Sequence, residues 1–387
     1  MAGFFTAPRI AWGPGAIEQL SGLGARRAVV VVDANVARRG GARRVVEELA
    51  KSDTHVDIVA APDAPDRMEE VLRLKERITS HAPDWVVAVG GGSTIDASKA
   101  ARLGAESPDL AIEQLTPVHE FPDPPRTRLA ALPTTSGSGA EASWTADLVG
   151  SDGTPIEVAH RALVPDWALV DAGLAAGLSV DQVADGAFEA LGLATEAYLS
   201  AWSNPFSDAL ALDAAATVVR RLPHALRWSD DPDAKGALHY AATVAGLAAS
   251  NAQRGVAHAL SRALVAPTGL AYGRLLGIVL PLAVEFDHPS ARDRLETLSF
   301  TVSAPEENGR NPVPMPLRLR RLADLAHVPA TLRAAGVAAG RVEASLETIV
   351  TRTLRSPAAL ANPRVPSREE VLGLVHAAVG PAEASRR

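Results

Sequence analysis

The chain has 387 residues, which is enough for two domains with separate hydrophobic cores. It contains no cysteine, and this excludes disulfides, thiolate nucleophiles and cysteine-ligated zinc. The formal net charge of −7 comes without any basic block, which argues against nucleic acid as a partner. No apolar run reaches the roughly 20 residues that a membrane helix needs, and the first residues lack the pattern of a secretory signal. We therefore expect a soluble, cytoplasmic protein with no membrane partner.

The first half of the chain alternates predicted strands with predicted helices. Apolar runs predict buried parallel strands at residues 28–33, 56–61, 84–89 and 128–133, and amphipathic stretches predict helices at about 41–51 and 67–80. This alternation is typical of a doubly wound, mostly parallel sheet. We predict an α/β domain over residues 1–175.

The pattern changes after residue 175. Alanine-rich stretches with helical periodicity follow at 179–199, 205–227, 233–250 and 254–266, with few strand candidates among them. The segment 303–316 is predicted to be a loop because it is rich in Pro, Asn and Gly, and the tail 382–387 is predicted to be frayed. We predict an all-helical domain over residues 176–387.

Two glycine-containing loops follow the third and fourth predicted strands. The first contains Gly90, Gly91, Gly92 and Ser93, and the second contains Thr134, Thr135 and Ser138 among its glycines. Glycines let the backbone approach a pyrophosphate, and the start of a helix offers free N–H groups to it. Ser93 and Asp96 have the spacing of a capping box. A tight turn before a capped helix is the alternative interpretation, since the usual G-x-G-x-x-G fingerprint is missing.

The motifs resemble those of a known family. Residues 90–99 resemble the GGGSxxDxAK signature of the iron-containing (group III) alcohol dehydrogenases, and residues 133–141 are similar to the PTTxGTGSE loop of that family. Glu196-Ala197-Tyr198 and Asn362-Pro363-Arg364 also match. The resemblance implies a nucleotide-binding α/β domain followed by a helical domain, an active site in the cleft between them, and NAD as cofactor at the glycine loops.

The resemblance also gives Asp33 a possible role at the end of the first strand. The family often places an acidic residue there against the adenosine ribose, and a carboxylate at this position repels the 2′-phosphate of NADP. This makes NAD the expected cofactor and NADP the less favoured one. The alternative is that Asp33 only caps the following helix.

The family normally binds one divalent metal through an aspartate and three histidines. The resemblance places these four ligand positions at Glu189, Leu193, His258 and Tyr272, and it places two further family histidines at Arg262 and Leu282. Leucine has no donor atom and neutral tyrosine is a poor ligand for a divalent cation. We therefore expect no metal.

A different chemistry is expected at these positions. We hypothesise that Arg262 pairs with Glu189 or binds an anionic group of the substrate, and that Tyr272 or His258 donates a proton to a developing alkoxide. The alternative is a structural Glu189–Arg262 ion pair beside a packed aromatic ring.

The expected function is a metal-independent, NAD(H)-dependent oxidoreductase, similar to an alcohol dehydrogenase. Its substrate would be a small or anionic carbonyl compound or an activated alkene. A lyase, isomerase or cyclase with a rebuilt site is one alternative, because the related dehydroquinate synthases use bound NAD transiently. A non-catalytic dinucleotide-binding homologue is another. The family often forms dimers, so a homodimer is possible.

Overall fold

The computed structural model describes residues 4–122, 125–228, 231–303 and 312–381. The chain divides into two compact units, with the boundary between Leu178 and Ser179. Each unit is described by itself. Among the described residues, no helix combines the length and the apolar character needed to cross a membrane.

The N-terminal unit is built on a six-stranded parallel sheet. Its strands lie in the order β1-β8-β5-β4-β2-β3. A separate antiparallel hairpin consists of β6 and β7. The strands are β1 (Arg9–Trp12), β2 (Arg27–Asp33), β3 (His55–Ala61), β4 (Trp85–Gly90), β5 (Arg128–Pro133), β6 (Thr145–Val149), β7 (Pro155–Ala159) and β8 (Trp167–Val170).

The described residues of this unit form four α-helices, which enclose a core on each face of the sheet. They are α1 (Ala34–Arg38), α2 (Gly41–Ala50), α3 (Met68–His81) and α4 (Gly92–Glu106). Successive side chains of a strand point to opposite faces. Val30 and Val32 of β2 therefore join the core beneath α2, whereas Val29 and Val31 join the core beneath α3 and α4. The part of a strand that is buried on both faces must be apolar, as residues 28–32 of β2 and 85–89 of β4 are.

The doubly wound parallel sheet predicted from the sequence is confirmed, and its four predicted strands are present. The short edge strand β1, the strand β8 and the β6–β7 hairpin were not predicted. Each of these strands has only four or five residues, and β1 carries an exposed Trp12. The sequence therefore contains no long buried apolar run that would predict them.

The C-terminal unit is helical, as predicted. Its helices are α5 (Val180–Leu199), α6 (Pro205–Arg227), α7 (Pro232–Ala252), α8 (Val256–Thr268), α9 (Tyr272–Thr301), α10 (Met315–Leu325), α11 (Ala339–Ala344), α12 (Leu346–Arg355), α13 (Pro357–Ala361) and α14 (Arg368–Val379). Helix α9 is kinked at Ala291. Residues 304–311 of the predicted loop and the tail 382–387 lie outside the described residues, and α10 begins before the predicted loop ends.

Helix α5 is the central element of this unit. It packs against α6, α7, α8 and α9, and its residues from Val183 to Leu199 are nearly all buried. Small alanine and glycine side chains let neighbouring helices approach closely: a Cβ at Gly273, in the first turn of α9, would collide with the backbone of Asp185. The start of α9 is therefore held tightly against α5.

Candidate functional site

Three neighbouring strands of the N-terminal unit end at one edge of the sheet. Strand β4 lies between β2 and β5, and its register pairs Val89 with Val32 and Gly90 with Pro133. The chain reverses its direction of winding between β2 and β4, which is the switch point where open α/β sheets bind ligands. Asp33 and the two glycine loops predicted from the sequence therefore lie side by side.

The two glycine loops are packed against each other. The N–H of Thr134 donates to the carbonyl oxygen of Gly90 at 3.0 Å. A Cβ at Gly92 would lie 2.6 Å from Oγ of Ser138, and one at Gly91 would lie 3.2 Å from Cγ2 of Thr135. Side chains at these glycines would thus push the loops apart. Thr134 is buried, whereas Thr135 and Ser138 are half-buried.

Helix α4 begins directly after the first glycine loop. Its N-cap is Gly91, no side chain caps it, and the first backbone bond into the helix runs from Ile95 N–H to the carbonyl of Gly91 at 3.1 Å. Within the described chain, the N–H groups of the three residues before Ile95 have no acceptor. They form a set of free donors at the positive end of the helix dipole.

The predicted capping box of Ser93 and Asp96 is wrong. Helix α4 begins two residues earlier than that spacing requires, so Ser93 lies inside the first turn with an exposed side chain and Asp96 lies in the second turn. The carboxylate of Asp96 points inward. Its Oδ1 accepts from Nζ of Lys99 at 3.3 Å and its Oδ2 accepts from the N–H of Asp147 at 3.1 Å.

Lys99 is a fully buried cation below the glycine loops. Besides Asp96, its Nζ donates to Oγ of Ser143 at 2.9 Å and to the carbonyl of Thr145 at 3.0 Å. Burial lowers the pKa of Lys99 and raises that of Asp96 to about 6, while each group's charge acts in the opposite direction on its partner. Lys99 thereby ties helix α4 to the segment that follows the second glycine loop.

Asp33 is the N-cap of α1. Its Oδ1 accepts from the N–H of Asn35 at 2.7 Å and from that of Val36 at 3.4 Å. This is the capping role that the sequence left open as the alternative. The side chain is half-buried, and in the described chain the capping bonds use only this oxygen.

Two of the four predicted catalytic residues meet in the C-terminal unit. Nδ1 of His258 lies 2.6 Å from Oη of Tyr272, and the two rings pack edge to face with centroids 5.6 Å apart. His258 is on the first turn of α8 and is buried, whereas Tyr272 is the first residue of α9 and is half-buried. The sequence predicted both residues but not their contact.

The remaining predicted residues lie on the helices next to this pair. Glu189 and Leu193 are one turn apart on α5, where Glu189 is half-buried and Leu193 is buried. Arg262 is half-buried on α8, one turn after His258. The pairing of Glu189 with Arg262 stays a prediction.

A buried carboxylate that the sequence analysis left without a role lies at the start of α8. Glu196, two turns after Glu189 on α5, accepts from the N–H of Ala257 at 2.7 Å and from that of His258 at 3.2 Å. Burial raises the pKa of Glu196 to about 7, although these backbone donors lower it. The sequence did contain a signal for this residue, because a charged side chain within the buried, alanine-rich part of a helix usually has a specific role.

Comparison with known proteins agrees with this arrangement. The profile described as iron-containing alcohol dehydrogenase matches residues 7–172, and the profile of the C-terminal domain of the Fe-containing alcohol dehydrogenase family matches residues 183–379. The chain belongs to the iron-containing alcohol dehydrogenase family. Its sequence is 28% identical to the NADPH-dependent butanol dehydrogenase of Clostridium saccharobutylicum over 374 residues, which cover 95% of each chain.

Solved structures of other proteins share the fold. The iron-containing alcohol dehydrogenase of Thermococcus thioreducens superposes with a TM-score of 0.86 at 26% identity. The superposition covers 97% of the present chain and 99% of the Thermococcus chain. The sulfoacetaldehyde reductase of Bifidobacterium kashiwanohense, solved in complex with NAD+, superposes with a TM-score of 0.84 at 22% identity and covers 99% and 100% of the two chains. The predicted order of an α/β domain followed by a helical domain is confirmed.

The burial of Lys99 generates a prediction about stability. Lys99→Met should lower the free energy of unfolding by about 3–5 kcal/mol, because Asp96 then stays buried without its cation. The loss should be smaller at low pH. Without the cation, the pKa of Asp96 in the folded variant rises further. Between about pH 4 and that raised pKa, the folded variant keeps a proton that the unfolded chain releases. The free energy of unfolding of the variant therefore falls as pH rises through this range.

The measurement is urea-induced unfolding followed by circular dichroism at several pH values. Lys51→Met is the matched control, because Lys51 makes an exposed ion pair with Glu48 and its loss should change stability by less than about 0.5 kcal/mol. Equal losses of stability in the two variants would contradict the role of Lys99 as the buried partner of Asp96.

Proposed function

We propose that this chain is an NAD(H)-dependent oxidoreductase of the alcohol dehydrogenase type that works without a catalytic metal. Its substrate is a small or anionic carbonyl compound or an activated alkene. The observation that carries the proposal is the 2.6 Å contact between Nδ1 of His258 and Oη of Tyr272. This contact joins two positions that the family normally uses for metal ligands.

The edge of the sheet supports the dinucleotide part of the proposal. The free N–H groups at the start of α4 and the hydroxyls of Thr134, Thr135 and Ser138 offer donors for a pyrophosphate, and the glycines leave the backbone accessible. One structural neighbour is described in complex with NAD+, whereas one relative is named for its use of NADPH.

Asp33 favours NAD over NADP in this proposal. Capping of α1 uses Oδ1, so Oδ2 can accept from a ribose hydroxyl while the carboxylate repels a 2′-phosphate. The role assigned to Asp96 is indirect: both its oxygens are engaged by the protein, so it supports the loops rather than contacting the cofactor.

The four family ligand positions fit a divalent cation poorly. Leu193 has no donor atom, Tyr272 replaces a histidine, and Nδ1 of His258 already makes a hydrogen bond with that tyrosine. Catalytic metal sites usually need three protein ligands. We therefore infer that fixed side-chain donors do the work that the cation does elsewhere in the family.

The proposed reaction is a carbonyl reduction. Held by the two glycine loops, a nicotinamide dinucleotide would supply the hydride for the carbonyl carbon and would itself become oxidised. The electron pair of the C=O π bond moves to the oxygen, which takes the proton of Tyr272 Oη. When Nδ1 of His258 carries a proton, it donates to Oη and can replace the proton that the tyrosine loses. Arg262, one turn from His258, is a suitable group to bind an anionic substituent of the substrate.

The cofactor part is tested by a variant in the first glycine loop. Gly92→Ala should weaken NADH binding by at least about tenfold, or about 1.4 kcal/mol, because the new Cβ collides with Ser138 and separates the two loops. The measurement is a titration of NADH fluorescence. Gly22→Ala is the control, since a Cβ there meets nothing within 4 Å. Equal NADH affinities of the two variants would contradict dinucleotide binding at the glycine loops.

The metal part is tested by elemental analysis of protein purified without chelator. We expect zinc and iron far below one equivalent, and we expect NADH-dependent reduction of a panel of aldehydes and ketones to be unchanged by dialysis against EDTA. A stoichiometric metal whose removal abolishes turnover would contradict metal-independent chemistry. Turnover of a substrate with no net oxidation or reduction of the bound NAD would favour a lyase, isomerase or cyclase.

The proton donor is tested by Tyr272→Phe. This variant should lower kcat by about 100-fold with little change in the Kd for NADH, because it removes only the hydroxyl that protonates the alkoxide. Tyr198→Phe is the matched control: its ring stacks on the guanidinium of Arg294, a contact that phenylalanine preserves. A wild-type kcat in Tyr272→Phe would exclude Tyr272 as the proton donor.

A further inference from the structure

Two short motifs that are far apart in the sequence meet at the first turn of α8. Glu196 belongs to the Glu196-Ala197-Tyr198 motif on α5, and Asn362 begins the Asn362-Pro363-Arg364 motif after α13. Neither motif has a role in the proposed chemistry. Both side chains are at least nine-tenths buried, and both point at the same helix terminus.

Glu196 holds the backbone of two consecutive residues of α8. Its Oε1 accepts from the N–H of Ala257 at 2.7 Å, and both its carboxylate oxygens lie 3.2 Å from the N–H of His258. A carboxylate at a helix N-terminus satisfies donors that the helix itself leaves open, and it interacts favourably with the helix dipole.

Asn362 completes this arrangement from another direction. Its Oδ1 accepts from the N–H of Val256 at 2.9 Å, and its Nδ2 donates to Oδ1 of Asp287 at 2.6 Å and to the carbonyl of Arg364 at 2.9 Å. These two donated bonds fix which way the amide faces. The oxygen therefore stays directed at α8.

Gly255 leaves room for both caps. It is the N-cap residue of α8 and supplies no side-chain bond of its own, and a Cβ there would lie 2.7 Å from both Oδ1 of Asn362 and Oε1 of Glu196. Helices α5, α6 and α14 begin instead with local capping boxes from the residues Ser179, Asn204 and Ser367. The start of α8 is thus tied to α5 and to the Asn362 segment rather than to its own preceding residue.

This anchoring acts on the residue that contacts Tyr272. The N–H of His258 is itself one of the groups that Glu196 binds, so the backbone that carries the imidazole is fixed where the side chain leaves it. A displacement of the first turn of α8 would move Nδ1 away from Oη of Tyr272. The 2.6 Å contact leaves little tolerance for such a movement.

We propose that Glu196 and Asn362 are positioning residues that hold the first turn of α8 so that the imidazole of His258 meets the hydroxyl of Tyr272. The inference deepens the proposed function, on which its catalytic consequence rests. Burial of an ionisable group at this point is costly, and Asp287 next to Asn362 carries a raised pKa of about 7 for the same reason. A local serine or asparagine cap would avoid this cost but would not link α8 to α5.

The experiment compares Glu196→Ala and Asn362→Ala with two gentler variants. Glu196→Gln keeps the shape and an acceptor oxygen, and Gly255→Ala displaces both caps without removing either. Ser367→Ala is the matched control, because it removes a helix cap from α14 and leaves α8 unchanged. If the alanine variants at 196 and 362 do not fold, Glu196→Gln and Gly255→Ala decide the question.

The first readout does not depend on activity. Protein labelled with ¹⁵N-histidine contains ten histidines, and the ring signals of His258 are identified by their loss in His258→Gln. We expect the wild type to give the two separate nitrogen shifts of one ring tautomer, since Nδ1 is held by Tyr272. In Glu196→Ala, Asn362→Ala and Gly255→Ala these shifts should move toward an exchange average, with a smaller change in Glu196→Gln.

The second readout is kinetic. Loss of positioning should lower kcat by about 100-fold in Glu196→Ala and by about tenfold in Glu196→Gln, while the Kd for NADH stays within error of the wild type. Ser367→Ala should lower the unfolding midpoint but leave kcat and the His258 signals unchanged. A purely structural role for Glu196 would give this control pattern in all variants.

Unchanged His258 signals in the variants at 196, 362 and 255 would overturn the proposal, whatever the kinetics show. Shifted His258 signals together with a wild-type kcat in Tyr272→Phe would leave the positioning intact and reject the proposed proton donor. The two failures are therefore distinguishable.

Discussion

The in-register pairing of β4 with its two neighbours is the constraint on which the N-terminal unit depends. Because the strands are parallel, the carboxyl ends of β2, β4 and β5 lie at one edge, and each is followed by a segment with polar or small residues. A shift of one residue would exchange the faces of the buried valines and would separate Gly90 from Pro133. The apolar core and the proposed dinucleotide site are thus fixed by the same register.

Buried charges support the loops and helix ends of both units. Lys99 links α4 to Ser143 and Thr145, and Glu196 links α5 to the start of α8. In each case a long side chain reaches from one element to a backbone group of another. Alanine side chains, which dominate the packing between the helices, are too short to make such a link. Such links are expensive because the charge must leave water, and they hold the elements in one arrangement.

Membership of the family suggests a metal-dependent enzyme, whereas the residues expected at the ligand positions argue against a bound metal. The chain belongs to the iron-containing alcohol dehydrogenases, yet the positions that the sequence resemblance assigns to metal ligands include Leu193 and Tyr272. In the structure His258 and Tyr272 form a hydrogen-bonded pair. The proposed chemistry gives this pair the task of stabilising charge on the substrate oxygen, for which a preorganised donor is suited.

The sequence by itself determined the fold class, the strands β2 to β5, the helices α5 to α8 and the glycine loops, because these depend on local periodicity and on the spacing of small residues. It did not reveal strands as short as β1 and β8, and it misassigned Ser93 and Asp96 because the same spacing suits a cap or an inward-facing carboxylate. Only the tertiary structure decided that His258 meets Tyr272 and that Glu196 and Asn362 share one helix terminus. These contacts join residues between 14 and 106 positions apart, and the direction of each side chain depends on helix packing that no local pattern encodes.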